Sequence, residues 1–398
     1  MYELDLPELD ISGMERPDAL AAMQSIWGEH WLARTPLGFF LTHYEDVVAC
    51  LRDRRFHSAL SLIPQMAGID DSGYLDRRRR SILSMEGDEH ARVRRLVAPA
   101  FTPTSADRLR PFMREVVGGL VDDLGDTGRC ELVHDICEPY PIPIICELLG
   151  APKQDWKLFS QWATDIFRIF NQNLVEDLPH IMRASEELDT YVRAMVDERR
   201  QAPREDLLSD LIAIEESGDR LSTDELVMLA EAVLMAGTDT TRNQLACSVA
   251  VFAEHPDQWA LLAERPELAA RAVEESMRYL GAVRGTARFA SEDIEYRGVL
   301  FPQGTLVAMS LVGANMDPAV WQVPAAFDIT QERPAQQMTF GSGIHFCLGS
   351  ALARAELQEA LPLLARRMPG LARSGEITWK PATFGIWGPA DLPLRYDS

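Results

Sequence analysis

No stretch of this 398-residue chain is apolar for long enough to cross a bilayer. The most apolar run, Leu226 to Ala236, is interrupted by Glu231 and falls short of the roughly 20 residues that a span requires. The opening Met1-Tyr2-Glu3-Leu4-Asp5-Leu6 is acidic and has no apolar run, so neither a signal peptide nor a membrane anchor is expected. Positive charge is scarce. The 39 Lys and Arg stand against 61 Asp and Glu, and a net charge of −22 repels polyanions and argues against a nucleic-acid partner. The six cysteines (50, 130, 137, 146, 247, 347) contain no Cys-x-x-Cys pair. Disulfide and zinc frameworks are therefore not expected, and the reducing cytoplasm is the natural compartment. There is no Pro/Gly/Ser-rich linker, internal repeat or low-complexity tract, so residues 1–398 are expected to form one domain.

What is present is concentrated in Phe340-Gly341-Ser342-Gly343-Ile344-His345-Phe346-Cys347-Leu348-Gly349. Leu348 to Met368 then reads as a helix, with Leu348, Leu352, Ala355 and Leu361 on its apolar face. Cys347 is thus predicted at a helix N-terminus, where the dipole and free N–H groups favour a thiolate. The glycines suit a backbone that comes close to a flat ligand. A lone Cys-x-Gly is more simply a buried cysteine in a turn. The whole ten-residue pattern is what points to a thiolate ligand for haem iron.

The best-defined helix opens at Ser222, which forms a capping box with Glu225. Its apolar pattern runs to Glu254 and stops at His255-Pro256, a predicted length of roughly 48 Å. In its middle stands Ala236-Gly237-Thr238-Asp239-Thr240-Thr241. Gly costs about 1 kcal/mol against Ala in such a position, and Thr hydroxyls compete for backbone carbonyls. Two readings follow: a structural kink, or a local opening beside an oxygen-binding site with a hydroxyl and a carboxylate to relay protons.

Elsewhere, Trp31–Thr42 reads as a short strand pair, His43–Arg52 as a helix and Ser58–Tyr74 as a long loop. A helix from Met85 to Val97 has Asp88 and Glu89 in its first turn and places His90 and Arg94 on one face. Taken alone, such an arginine-rich face is a solvated surface. Further helical patterns cover 106–124, 139–149, 153–173 and 179–200. The third carries Trp156, Phe159, Trp162, Phe167 and Phe170, a stripe that suits core or ligand contact. Glu267–Tyr279 holds Glu275 and Arg278 three residues apart. From Ile294 to Met309 the period falls to two, and a small antiparallel sheet is predicted.

Together these motifs resemble the cytochrome P-450 superfamily in its soluble bacterial, ferredoxin-dependent form, over most of the chain from about His90 onward. The resemblance implies a mainly α fold with a small β region. Haem b would lie between the long central helix and the cysteine loop, with Cys347 as the iron ligand and Phe340, Gly341 and Gly349 framing the cofactor. His90, Arg94, Arg288 and His345 match contacts to the haem propionates, and Ala236 and Gly237 flank the groove above. Thr240 takes the position that hydrogen-bonds dioxygen, and Asp239 that of the acid supporting proton delivery. Glu275 and Arg278 match a charged pair that locks the haem-side core. Where the family has a second arginine this chain has Gln331, and Arg333 is the candidate replacement. The Ser58–Tyr74 and Trp156–Ile181 regions would cover the substrate, and Val233, Ala236, Thr240, Val283, Phe384 and Ile386 would line its pocket.

The implied activity is insertion of one oxygen atom from O2 into a hydrophobic molecule such as a fatty acid, terpenoid, steroid or polyketide. Electrons would come from a ferredoxin and its NAD(P)H-dependent reductase. Arg77 to Arg80, Arg92, Arg95 and Arg354 either dock an acidic partner or are scattered surface charges. Arginines near the Ser58–Arg80 segment are also candidates to capture a carboxylate. Two other readings compete: a peroxygenase or rearrangement catalyst, against which the Asp239–Thr240 pair argues, and a haem-binding sensor or carrier without turnover.

Overall fold

Two buried helical segments set the frame of the computed structural model, which describes residues 6–10, 14, 16–27, 29–170, 174–216, 221–380 and 385–397. The first begins at the expected capping box: the Ser222 side chain accepts from the Glu225 N–H and the Glu225 carboxylate accepts from the Ser222 N–H. It is not continuous. The helix Thr223–Ala236 ends, and a second, Asp239–Glu254, resumes after Gly237 and Thr238. The cause is local. The Thr238 hydroxyl donates to the Met235 carbonyl (3.0 Å) and that of Thr240 to the Ala236 carbonyl (2.8 Å), drawing on carbonyls that the helix ladder would use. Gly237 also presses against Pro141–Leu149. A Cβ there would lie 2.3 Å from the side chain of Ile145, so only glycine permits this approach.

The second segment, Ser350–Arg367, packs against Pro103–Asp123 and against Asp239–Glu254. Leu352, Ala355 and Leu361 are buried in that contact as their spacing predicts. Within 153–173 the described residues form the turn Lys153–Asp155, the helix Trp156–Ile166 and the 3-10 turn Phe167–Phe170. Phe159 and Trp162 pack edge-on with Tyr191 of the long helix Leu174–Gln201, which makes that part of the aromatic stripe core.

The main sheet has five strands in the order Leu32–Thr35, Gly38–Leu41, Leu306–Ser310, Gly285–Ala290, Phe56–Ser58. All neighbours are antiparallel except Gly38–Leu41 beside Leu306–Ser310. This corrects the expectation that Thr305–Met309 continues the hairpin before it. Ile294–Tyr296 and Val299–Phe301 pair only with each other, across a turn with positive φ at Arg297 (49°) and Gly298 (77°). Pro302-Gln303-Gly304 then turns the chain away into the larger sheet.

The predicted loop Ser58–Tyr74 is likewise structured. It holds the end of strand Phe56–Ser58, a turn Ala59–Ser61, one helical turn Ile63–Met66 and the start of a helix Ser72–Arg79. The Asp71 carboxylate caps the last of these by accepting from the Tyr74 N–H (2.7 Å). Elements of one or two turns are too short to show a period. Among the described residues no helix is long and apolar enough to cross a membrane.

Candidate active site

The Cys347 loop is held by its own backbone. The Cys347 N–H donates to the Phe340 carbonyl (3.0 Å), that of Phe346 to Gly343 (3.1 Å) and that of Gly341 to Met338 (2.7 Å). Gly343, at φ +72°, comes so close to Leu51 that a Cβ would sit 2.0 Å from the Leu51 carbonyl oxygen. Phe346 to Gly349 keep accessible surface in the middle of the molecule and therefore border a crevice. The expected thiolate-favouring helix end is outweighed in the free protein. Burial pushes the Cys347 thiol up, against the opposing pull of the Gly349 N–H and of Arg94 and Arg354. A bound metal ion reverses that balance, since a coordinating thiol gives up its proton outright.

Three nitrogen donors surround this loop without a carboxylate partner among the described residues. Arg288 is 6% exposed and donates only to the Thr286 hydroxyl (2.8 Å) and the Ala287 carbonyl (2.9 Å). Burial lowers its pKa to about 10. Arg94 donates to the Phe346 carbonyl (2.6 Å), and burial lowers it too. His90 is 2% exposed, and its Nε2 is buried with no partner. Burial first, then His345 and Arg94, lowers its pKa to about 4. Two enclosed guanidiniums without an ion pair and a neutral imidazole with a free ring nitrogen call for an acceptor that can carry negative charge. A porphyrin bearing two carboxylates, with its iron on a thiolate, fits this donor set.

His345 differs from the other three. Its Nε2 is engaged by Glu86 at 3.0 Å, and its ring lies 4.6 Å from that of His90. Glu86 also accepts from the Ser58 N–H (2.6 Å). Burial opposes its ionisation, but His345 and the Ser58 N–H outweigh burial and lower its pKa. Nothing in the sequence pattern separates Glu86 from the other acids of its helix start.

Along the two central helices, Ala232, Ala236 and Thr240 keep accessible surface at intervals of four residues, which places them on one wall. With its proton on the Ala236 carbonyl, the Thr240 hydroxyl offers its oxygen as an acceptor. Asp239 is 5% exposed and sits in a cationic cage of Arg242 and, at 3.8 Å, Lys380. Burial lowers the Lys380 pKa, while Asp239 opposes that change. One residue further on, Thr241 donates to Glu356 (3.1 Å). Glu356 is wholly enclosed and has no cation beside it, and burial raises its pKa to about 8. Lys380 and Glu356 lie outside every motif, so only the fold reveals them.

The predicted pocket residues divide. Val283 and Ile386 form a β-bridge and are both half-buried. Val233 is 7% exposed and joins the main core cluster, while the neighbouring Ala232 keeps more accessible surface. Phe384 lies outside the described residues.

Glu275 and Arg278 are 2% and 1% exposed and meet through two hydrogen bonds of 2.9 and 2.8 Å. Arg333 joins them, its Nε donating to Glu275 at 2.8 Å. Most of the arginines considered for docking a partner are ion-paired. Arg92 is bonded to Glu225, Arg354 to Glu274 (2.5 Å), Arg80 to Asp76 (2.9 Å) and Arg77 to Asp189 (3.2 Å) and Glu231. Arg95 remains exposed.

A glycine-rich thiol loop and a threonine-bearing helix break, within a helical fold that carries one small mixed sheet, point to a haem-thiolate enzyme. The chain belongs to the cytochrome P450 family, whose model matches residues 31–368. It is 36% identical to luteothin monooxygenase of Streptomyces thioluteus, over 98% of this chain and 96% of that protein. It is 37% identical to the mycinamicin IV hydroxylase/epoxidase of Micromonospora griseorubida, over 91% of each. Among solved structures, P450BioI in complex with hexadec-9Z-enoic acid ligated acyl carrier protein superposes with a TM-score of 0.87 at 30% identity, covering 96% of this chain and 98% of that one. CalO2 superposes with a TM-score of 0.89 at 29% identity, covering 96% of each. The protein is therefore a P450 monooxygenase with haem b as its cofactor. Like its family, it acts on small molecules with O2 and a redox partner.

Proposed function

We propose that this monooxygenase inserts one oxygen atom from O2 into a hydrophobic small molecule, by hydroxylation or epoxidation, drawing electrons from a ferredoxin and its NAD(P)H-dependent reductase. It acts as one cytoplasmic domain over residues 1–398. The observation that carries the site assignment is the set His90, Arg94 and Arg288 near the Cys347 loop, none of which is hydrogen-bonded or ion-paired to a carboxylate among the described residues. The relatives, a monooxygenase and a hydroxylase/epoxidase, support both reaction outcomes.

Haem b, when bound, supplies dioxygen activation and oxygen-atom transfer. Cys347 holds the metal as a thiolate, with the Gly349 N–H, Arg94 and Arg354 stabilising the charge on sulfur. His90, Arg94 and Arg288 bind the propionates, and His345, steadied by Glu86, borders them. The small side chains of Ala232 and Ala236 leave room for substrate on the other side. Thr240 holds a proton donor at its free oxygen, and Asp239 delivers protons by loosening its hold on Arg242 or Lys380.

The test is an optical titration of the purified ferric protein with steroids, terpenoids and fatty acids. A Soret shift to shorter wavelength for one class supports a hydrophobic substrate, and turnover with ferredoxin and reductase supports the electron route. No shift with any class overturns the substrate reading. Turnover with peroxide but not with ferredoxin overturns the electron route.

A further inference from the structure

Four arginines follow one another at 77 to 80, and one of them stands apart. Arg77 and Arg80 are ion-paired and Arg79 is exposed. Arg78 has no hydrogen bond or ion pair among the described residues, and its Nε is sealed from solvent without a partner. No carboxylate acts on it. Burial lowers its pKa, and the charged or titratable neighbours are the Tyr74 phenol and the repelling Arg77. One turn earlier on the same helix face, Tyr74 is 7% exposed and its hydroxyl is also buried and unpartnered.

Arg78 is half-buried, and its surroundings can be traced. The helix Ser72–Arg79 rests on the turn Ala59–Ser61, which follows Ser58, the strand partner of Arg288. On the other side Arg77 ties the helix to Glu231, the residue before Ala232 on the crevice wall. Tyr74 and Leu75 form one apolar cluster with Ile169, Leu174 and Ile181. A guanidinium and a phenol left unpaired among apolar side chains are costly unless a ligand completes them.

Resting on the monooxygenase reading above, we propose that Arg78 and Tyr74 clamp the carboxylate of an amphipathic substrate, whose hydrocarbon part extends along the Ala232–Ala236 wall. The guanidinium offers parallel N–H donors to a carboxylate, and the phenol adds one more. The aliphatic cluster beside Tyr74 covers the neighbouring methylenes. The substrate class is thus a hydrophobic carboxylic acid rather than a neutral terpenoid or steroid.

The experiment is a Soret titration of the holoenzyme with dodecanoic acid, methyl dodecanoate and dodecanol at fixed ionic strength. The acid is expected to bind roughly ten- to a hundredfold more tightly than the ester, the scale of a charge-assisted hydrogen bond. Arg78→Gln brings the acid to the affinity of the ester and leaves the ester unchanged, Arg78→Lys retains part of the preference, and Tyr74→Phe removes a smaller part. Equal affinities in the unmodified enzyme, or a preference that survives Arg78→Gln, overturn the clamp and leave the monooxygenase reading intact. Loss of haem from Arg78→Gln makes Arg78 a cofactor contact and likewise overturns it. Binding of none of the three probes overturns the clamp, and only a failure across every other class in the panel overturns the hydrophobic-substrate reading as well.

Discussion

Arg333 reaches Glu275 from a loop 58 residues away and, with Arg278, completes a buried network of two guanidiniums on one carboxylate. Arg278 spends its remaining donors on the carbonyls of Pro324 (2.8 Å) and Ala326 (2.7 Å), so the network fixes the chain that leads to the cysteine loop. Glu275→Gln strands two charges and is expected to cost about 3–5 kcal/mol. Arg333→Ala leaves one intact pair and should cost less than half as much. Urea unfolding with haem retention measures both, and an equal loss for the two variants would contradict this division of roles.

Glu356 gives the fold a pH dependence. Its carboxyl is raised to about 8 from an ordinary value of 4.5, so the native state holds a proton that the unfolded chain has released across that window. Falling pH therefore stabilises the fold through Glu356, and rising pH toward 8 removes that contribution. Glu356→Gln keeps an acceptor for Thr241 and removes the titration. It is expected to raise the unfolding free energy at pH 8 by more than at pH 5, by an amount on the order of a few kcal/mol. A difference between variant and parent that does not change with pH would refute the assignment.

Thr240→Ala removes a hydroxyl that keeps accessible surface on that wall and leaves Cys347 and the propionate donors untouched. Haem content and substrate-induced spectra should stay unchanged. Product formed per NADPH should drop severalfold as electrons are lost to hydrogen peroxide, and coupling at the level of the parent enzyme rules out the proton role.

Arg288→Ala and His90→Phe each delete a buried donor that has no carboxylate of its own. Haem affinity should fall roughly ten- to a hundredfold per donor, the range of one charge-assisted hydrogen bond. Competition for haem with an apomyoglobin acceptor measures it, and undiminished affinity would place the propionates elsewhere.

Gly237→Ala puts a methyl group into Ile145 and should destabilise the fold by about 1–3 kcal/mol. Ile145→Ala creates the missing space, so the double variant should lose less than the sum of the two single losses. Thermal unfolding of the four-member cycle decides this, and strict additivity would mean that the two residues do not oppose each other.

The parts of the site legible in the sequence were those with a fixed spacing: the ten residues around Cys347, the threonine string at 236–241, and pairs one helical turn apart such as His90 with Arg94. The capping box at Ser222 located a helix start to the residue. What escaped depended on partners distant in sequence. Val233 lies in the core because of how Thr223–Ala236 packs, and no local pattern encodes that. The ion pair of Arg92 was not legible because Glu225, 133 residues away, is invisible to a reading of its own helix. Glu356, Lys380 and the unpaired state of Arg78 are likewise properties of the tertiary structure, since burial and the absence of a counter-ion cannot be read from neighbours in sequence.

The ion pairs that absorb Arg92, Arg354 and Arg367 have a kinetic consequence. With those cations neutralised on a chain of net charge −22, an acidic electron donor approaches through a field that is on balance repulsive. Added salt shortens the reach of that repulsion to about 8 Å at physiological ionic strength. Encounter with such a donor should therefore quicken as salt is raised from low levels, and the surface exposing Arg95 and Arg366 is where any residual attraction would act.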